Sequence, residues 1–173
     1  MEEDELEESR LFKILKFIIG LFLVLLMLSW LIPNDVVQSL IEQKQINENR
    51  IESGKITVLF EKDVYQNLKE VYLQNQLTEL SLCLQGKIIN GTYSISSFYQ
   101  PETFFATPIS VATSKCDENT IITLHTHPFN NCLFSYQDVI SYSSYRNNQL
   151  LTVVMCAIDK FAVLSNQPRV KLF

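Results

Sequence analysis

Two histidines and an aspartate lie close together in the last third of the sequence. They are His125 and His127, separated by one residue, and Asp138, which lies near the start of the next predicted helix. On a β-strand, residues two apart point to the same face, so both imidazoles can reach one metal ion. Two imidazole nitrogens, one carboxylate oxygen and a water make an open tetrahedral zinc site. The sequence therefore predicts one zinc ion held by these three residues.

Each part of this pattern has a structural alternative. Two histidines placed at random in a chain of this length would fall two residues apart about one time in ninety, which is the risk of any short motif. Ser135 and Asp138 also have the spacing of a helix-capping pair, with serine at the N-cap and an acid three residues later. Because a capping role is compatible with a role in the site, the spacing alone leaves both interpretations open.

The elements around these residues are predicted to place them at one end of a sheet. Residues 121–127 form an apolar, β-branched run that ends at Pro128, where strand pairing is interrupted. Residues 135–147 are expected to form a helix, followed by a hairpin over 151–164. Upstream strands are expected at 55–60, 80–84, 87–89 and 93–99, with a helix from Asp63 to about Gln74. This mixture predicts an α+β domain.

The order His-x-His-Pro, six residues, then Ser-x-x-Asp resembles the signature of the JAMM (MPN-plus) zinc metalloproteases, which include deubiquitinating isopeptidases. That family also carries a glutamate in the pattern E-x-x-G-x-L-x-G. Residues 79–86 match it at Glu79, Leu84 and Gly86, whereas Leu82 stands in place of the first glycine. The resemblance covers residues 55–173. It implies an MPN-type, cytidine-deaminase-like mixed sheet with flanking helices.

The resemblance also implies a role for each residue and a reaction. The histidines and Asp138 would be the zinc ligands, Glu79 the general base, and Ser135 the hydroxyl that donates to the oxyanion. Glu102 is the alternative base, and it lies in a segment (100–119) predicted to be either an insertion or an irregular strand that lines the substrate groove. The implied activity is hydrolysis of amide or isopeptide bonds that removes ubiquitin or a ubiquitin-like modifier from conjugates at a membrane. Two alternatives stay open: a non-catalytic MPN scaffold or binding module, and an extracytoplasmic zinc metallopeptidase.

Composition excludes several other classes of function. The chain has 173 residues with 4 Gly, and these glycines never approach the spacing of a P-loop or a dinucleotide-binding loop. The net charge of −5 comes from residues 1–10, which hold six acids and one base. The remainder is balanced, so no basic surface for nucleic acid is expected. Residues 1–10 are predicted to be a solvated, disordered tail.

A membrane anchor is predicted over residues 11–33. Sixteen of these residues, 17–32, carry no charge, and about 20 are needed to cross the hydrocarbon core. Lys13 and Lys16 can reach one interface, and no small-residue cleavage site follows the apolar run, which favours a retained anchor over a signal peptide. Residues 34–54 are then expected to be a polar, partly helical stalk.

Two features of the sequence give opposite predictions for the side of the membrane on which the domain lies. Three bases precede the span and two follow it nearby, which places the domain outside the cytoplasm by the positive-inside rule. A ubiquitin-like substrate places it in the cytosol, and we expect the cytosol. Cys83, Cys116, Cys132 and Cys156 are compatible with two disulfides or with reduced thiols, Cys83 and Cys156 being expected to be buried. Oligomeric state is not predicted.

Overall fold

The computed structural model describes residues 2–31, 43–145 and 150–164. The chain divides into two compact units, Met1–Val37 and Gln38–Phe173. The second unit contains the predicted site.

The first unit is a single helix, α1 (Glu2–Leu31), of 30 residues. Its segment Phe12–Ser29 has a mean hydropathy of 2.3 and exposed side chains, so it is long and apolar enough to cross a membrane. A signal sequence has the same properties. The helix includes residues 2–10, where the sequence predicts a disordered tail. Glu and Leu are good helix formers, and acids in the first turn interact favourably with the helix dipole, which accounts for the difference.

The second unit is a mixed α+β domain, as predicted. Its strands are β1 (Lys44–Gln45), β2 (Arg50–Ser53), β3 (Ile56–Phe60), β4 (Ser81–Ile89), β5 (Thr92–Tyr99), β6 (Thr103–Thr107), β7 (Ser110–Thr113), β8 (Thr120–Thr126), β9 (Leu151–Ala157) and β10 (Lys160–Leu164). Eight of them form one sheet in the order β1-β10-β9-β8-β4-β5-β3-β2, and β6 and β7 form a separate two-stranded sheet. The described helices of this unit are α2 (Lys62–Gln74) and α3 (Tyr136–Tyr145).

Part of the predicted stalk, residues 34–54, belongs to the sheet instead. Residues 34–42 lie outside the described part of the chain, but β1 pairs with β10, and β2 pairs antiparallel with β3. Ile51 of β2 is fully buried in the core. The domain therefore begins before residue 55. These two strands are short and mostly polar, so they lack the apolar run from which a strand is recognised in a sequence.

The two faces of the sheet are clearly different at its centre. Alternate residues of β4 and β8, among them Leu82 and Leu124, pack with Leu68 and Tyr72 of α2 in the main core. Their neighbours in sequence point to the opposite face, where Ser81 pairs across the strands with His125. α2 thus stabilises the face that does not carry the predicted site.

Gly86 has a structural explanation in this sheet. A Cβ atom at this position would lie 1.9 Å from the carbonyl oxygen of Ser94 on β5, where the register of the pair shifts. Because backbone must then move, we expect Gly86→Ala to lower the free energy of unfolding by about 1–3 kcal/mol, as other overpacking changes do. Denaturant unfolding measures this. Gly20→Ala is the control, since nothing lies within 4 Å of a Cβ there; equal stability of both variants would contradict the expectation.

Candidate metal centre

The two histidines sit where β8 ends. His125 is within β8, opposite Val154 of β9, and His127 follows the last strand residue and donates its backbone N–H to the Met155 carbonyl at 3.0 Å. The imidazole centroids are 4.9 Å apart. Both side chains are almost entirely buried. The predicted placement of the imidazoles on one side of the strand is confirmed.

Asp138 reaches these imidazoles from the first turn of α3. Its Oδ1 lies 3.1 Å from His125 Nε2, and its Oδ2 lies 3.6 Å from His127 Nε2. The ligand atoms of the three residues all lie within 4.8 Å of one another. Zinc bonds of about 2.1 Å in a tetrahedron place ligand atoms about 3.4 Å apart. His125, His127 and Asp138 therefore can hold a metal ion.

His125 supplies a further sign that the group fits a cation. Its Nε2 is buried and makes no hydrogen bond of good geometry to any residue that the structure describes, although Asp138 Oδ1 lies 3.1 Å away. A buried polar atom without a partner normally costs about 1–3 kcal/mol. A metal ion between this nitrogen and the carboxylate would satisfy both.

A backbone carbonyl group orients the ring of His127 on the side away from Asp138. Its Nδ1 lies 2.9 Å from the Asn131 carbonyl oxygen. Since a carbonyl only accepts, Nδ1 must carry the proton, and Nε2 of the neutral ring keeps its lone pair on the side of Asp138. This second hydrogen bond is typical of histidines that bind metals.

Asp138 and Ser135 also form the capping pair. The Ser135 N–H donates to Asp138 Oδ2 at 2.6 Å, and the Asp138 N–H donates to Ser135 Oγ at 3.2 Å. Burial opposes ionisation of Asp138, but its contacts with both imidazoles and with Ser135 outweigh this and hold its pKa well below the usual range. The carboxylate is thus charged and fixed, so the cap and the candidate ligand are the same group.

Glu79 lies against the same cluster. It is buried just before β4, and its Oε1 is 3.6 Å from His127 Nε2. Burial raises the pKa of Glu79, the electrostatic influence of His127 and His125 lowers it, and Asp138 raises it, with a net rise. Among the described residues that line the adjoining cleft, the acids are Glu79 and Asp138. Glu102, the alternative base, lies instead at the base of the β6–β7 hairpin, where its carbonyl accepts from Ser114.

Two contacts hold Glu79 that the sequence analysis did not find. Its backbone N–H donates to the Thr107 carbonyl at 2.9 Å, and its neighbour Leu80 exchanges hydrogen bonds with the buried Thr126. Thr126 stands between the two histidines in sequence, so these hydrogen bonds connect the segment of Glu79 to the segment of the histidines. In the sequence, these contacts are marked only by the threonine between the two histidines, and no local sequence pattern predicts the partner of such a hydroxyl group.

The centre opens into a cleft of about 320 Å³. Its walls include Ser135 and residues 109–114 of the β6–β7 hairpin, and its floor carries hydroxyl groups such as Thr123 and Thr152. No Lys or Arg lines the cleft within the described ranges. The prediction that the 100–119 segment is an insertion beside the site agrees with this placement.

All four cysteines are paired. Cys83 is bonded to Cys116, and Cys132 to Cys156. The sequence left open whether they pair. Of the disulfide alternatives, the structure has the one that joins each cysteine of a central strand to a cysteine of a loop beside the cleft.

No protein-family model matches this chain, and no curated protein matches it in sequence. The candidate centre is therefore supported by its residues and their geometry.

Proposed function

We propose that this chain is a zinc-dependent hydrolase of amide or isopeptide bonds. The observation that carries the proposal is a cluster of three side chains that can hold a metal ion, next to the buried carboxylate of Glu79 and at a cleft that His125, Asp138 and Glu79 line. Glu79 Oε1 lies 3.6 Å from His127 Nε2, close enough to contact a water or substrate atom next to the metal. A carboxylate in that position is what hydrolysis needs and what a purely structural metal site lacks.

The donor set restricts the metal. Two imidazoles and one carboxylate suit zinc in a catalytic site, and the same set holds iron in oxygenases. The buried carboxylate of Glu79 beside the three ligands can serve as a general base, which favours hydrolysis and therefore zinc. When bound, zinc supplies Lewis acidity that polarises a carbonyl and acidifies water.

Residues of the chain then perform the remaining steps. Glu79 Oε1 takes a proton from the attacking water and delivers it to the nitrogen of the leaving amine. Ser135 lines the cleft, and its hydroxyl, which accepts from the Asp138 N–H, can donate its own proton to the developing oxyanion. A non-catalytic scaffold would not need a buried carboxylate such as Glu79 next to the metal position, so this alternative is disfavoured.

The test is metal content together with hydrolysis. The full-length chain, purified in detergent, is expected to contain about one zinc per chain by elemental analysis, the stoichiometry of a three-ligand catalytic site. It should cleave a ubiquitin-like isopeptide or a short amide substrate, lose activity with a chelator and regain it with zinc. Iron in place of zinc, or zinc without any amide hydrolysis, would contradict the proposal.

By resemblance, the substrate is a conjugate of ubiquitin or a ubiquitin-like modifier. The tail of such a modifier is an extended segment, and the hairpin strand β7 at the cleft offers backbone for strand addition. This assignment requires the domain to face the cytosol, on the membrane to which α1 would anchor it.

One observation favours the extracytoplasmic metallopeptidase as a second candidate. Two disulfides pair all four cysteines, and structural disulfides are typical of oxidising compartments, the cytosol of hyperthermophiles being an exception. The charge count around the span agrees with that side. On this candidate the substrates are peptides or cell-wall amides.

Membrane sidedness separates the two candidates. In sealed cells, added protease should spare a cytosolic domain, as the modifier isopeptidase requires, and should digest an external one. Lysed cells are the control for intrinsic susceptibility. Complete digestion from outside would exclude a cytosolic modifier as substrate and leave zinc-dependent amide hydrolysis in place.

A further inference from the structure

The loop between the histidines and α3 is fixed to β9 at two neighbouring points. His127 donates its N–H to the Met155 carbonyl, and Cys132 is bonded to Cys156, the next residue of β9. Between these points stands Asn131, whose carbonyl accepts from His127 Nδ1. The carbonyl that orients the metal ligand is thus one residue from the disulfide.

This loop has a backbone that needs an external restraint. Phe129 and Asn130 both have positive φ, 63° and 57°, and neither is glycine. Phe129 is 77% exposed, so its own side chain contributes little packing. Residues in this region are strained and persist where the surroundings hold them. The fully buried Cys132, packed with Val154 and Cys156, is the restraint at the end of the strained pair.

We propose that the Cys132–Cys156 disulfide is a positioning element for the metal centre. It holds the Asn131 carbonyl against His127 Nδ1, which keeps the ring and its Nε2 aimed at the metal position. Opening the disulfide lets the strained loop relax, the carbonyl leaves Nδ1, and metal affinity falls. The inference rests on the proposed metal centre and adds a dependence of metal affinity on the redox state of these two cysteines.

The second disulfide is a matched control. Cys83–Cys116 joins β4 to the segment after β7, and it encloses a sequence separation of 33 residues against 24 for Cys132–Cys156. Loop-closure entropy depends weakly on length, so the two bonds stabilise the fold by similar amounts. A merely structural role would therefore give similar effects in both.

The test compares the double variants Cys132→Ala/Cys156→Ala and Cys83→Ala/Cys116→Ala in the full-length protein. Zinc affinity is measured by competition with a chromogenic chelator. The first variant is expected to bind zinc about 10–100-fold more weakly, the loss typical when a residue supporting a ligand is removed. The second should keep wild-type affinity. Both should melt at similarly lowered temperatures without metal, and the visible absorption of bound Co²⁺ should change only in the first.

Reduction provides a second measurement without a substitution in the loop. In Cys83→Ala/Cys116→Ala, a phosphine reductant should weaken zinc binding, and reoxidation should restore it. Equal zinc affinity in both variants, or no effect of reduction, would overturn the positioning role while leaving the metal centre intact. Unfolding in both experiments would overturn it too, because the bond would then be a requirement of the fold. Wild type that binds no zinc would instead overturn the proposed function.

Discussion

Replacing His127 by alanine is expected to remove the bound metal and the hydrolytic activity together. The described chain brings three ligand side chains to this centre, so the variant keeps His125 and Asp138 alone. Loss of a supporting residue already weakens metal sites about 10–100-fold, and loss of a ligand should exceed the upper end of that range. Activity should fall to background. The chain contains two histidines in all, and no third is present to replace the lost ligand.

Elemental analysis and an amide-hydrolysis assay check this result on the same preparation. Two aspartate variants supply the control. Asp138→Asn should also lose the metal. Asp117→Asn should keep it, because Asp117 is exposed and accepts hydrogen bonds from Thr120 and Gln85 instead. Far-UV circular dichroism distinguishes loss of metal from loss of fold. Hydrolysis that persists in His127→Ala at zinc levels near zero would show that the reaction does not use this centre.

The local part of the site was accessible from the sequence because its geometry follows from short periodicities. The i, i+2 spacing put both imidazoles on one side of β8, and the capping pair put Asp138 at the start of α3. The strands at the centre of the sheet, though not their pairing, and the helix ending at Gln74 follow from equally local patterns. The predicted N-cap, Asp63, lies instead in the first turn of this helix, which begins at Lys62 and has Glu61 at its N-cap position.

The remaining parts depend on pairings between distant residues. The Asn131 carbonyl is a backbone group, so no residue type marks it, and the disulfide partners of four cysteines follow only from the folded sheet. β1 pairs with β10, more than 100 residues away, through two polar residues. No local pattern contains this information.

The structure also explains where the chain departs from the signature it resembles. Leu82, in place of the first glycine, is buried in the core opposite Leu124, on the face that packs against α2. A larger side chain is accommodated there without touching the metal centre. Gly86, which matches the pattern, is where a Cβ would strike the Ser94 carbonyl. This chain thus has glycine at the position where a side chain would collide with backbone.

Replacing Glu79 by glutamine is expected to leave zinc binding unchanged and to abolish most hydrolysis. Glutamine has the shape of glutamate but its amide cannot accept a proton from water. Loss of a general base typically lowers kcat by about 10²–10⁴-fold. Glu79 is buried and lies 3.6 Å from His127 Nε2, so its carboxylate is held where it can take and return a proton next to the metal position.

Glu102→Gln is the matched control, since Glu102 is the other glutamate that the sequence offered as base. Its side chain is exposed on the hairpin rather than in the cleft, so this variant should keep wild-type kcat. Zinc content and kcat are measured for both variants at the same pH. If Glu79→Gln retained activity while Glu102→Gln lost it, the hairpin would have to move its acid into the cleft during turnover. If Glu79→Gln lost zinc as well, Glu79 would be a ligand rather than the base.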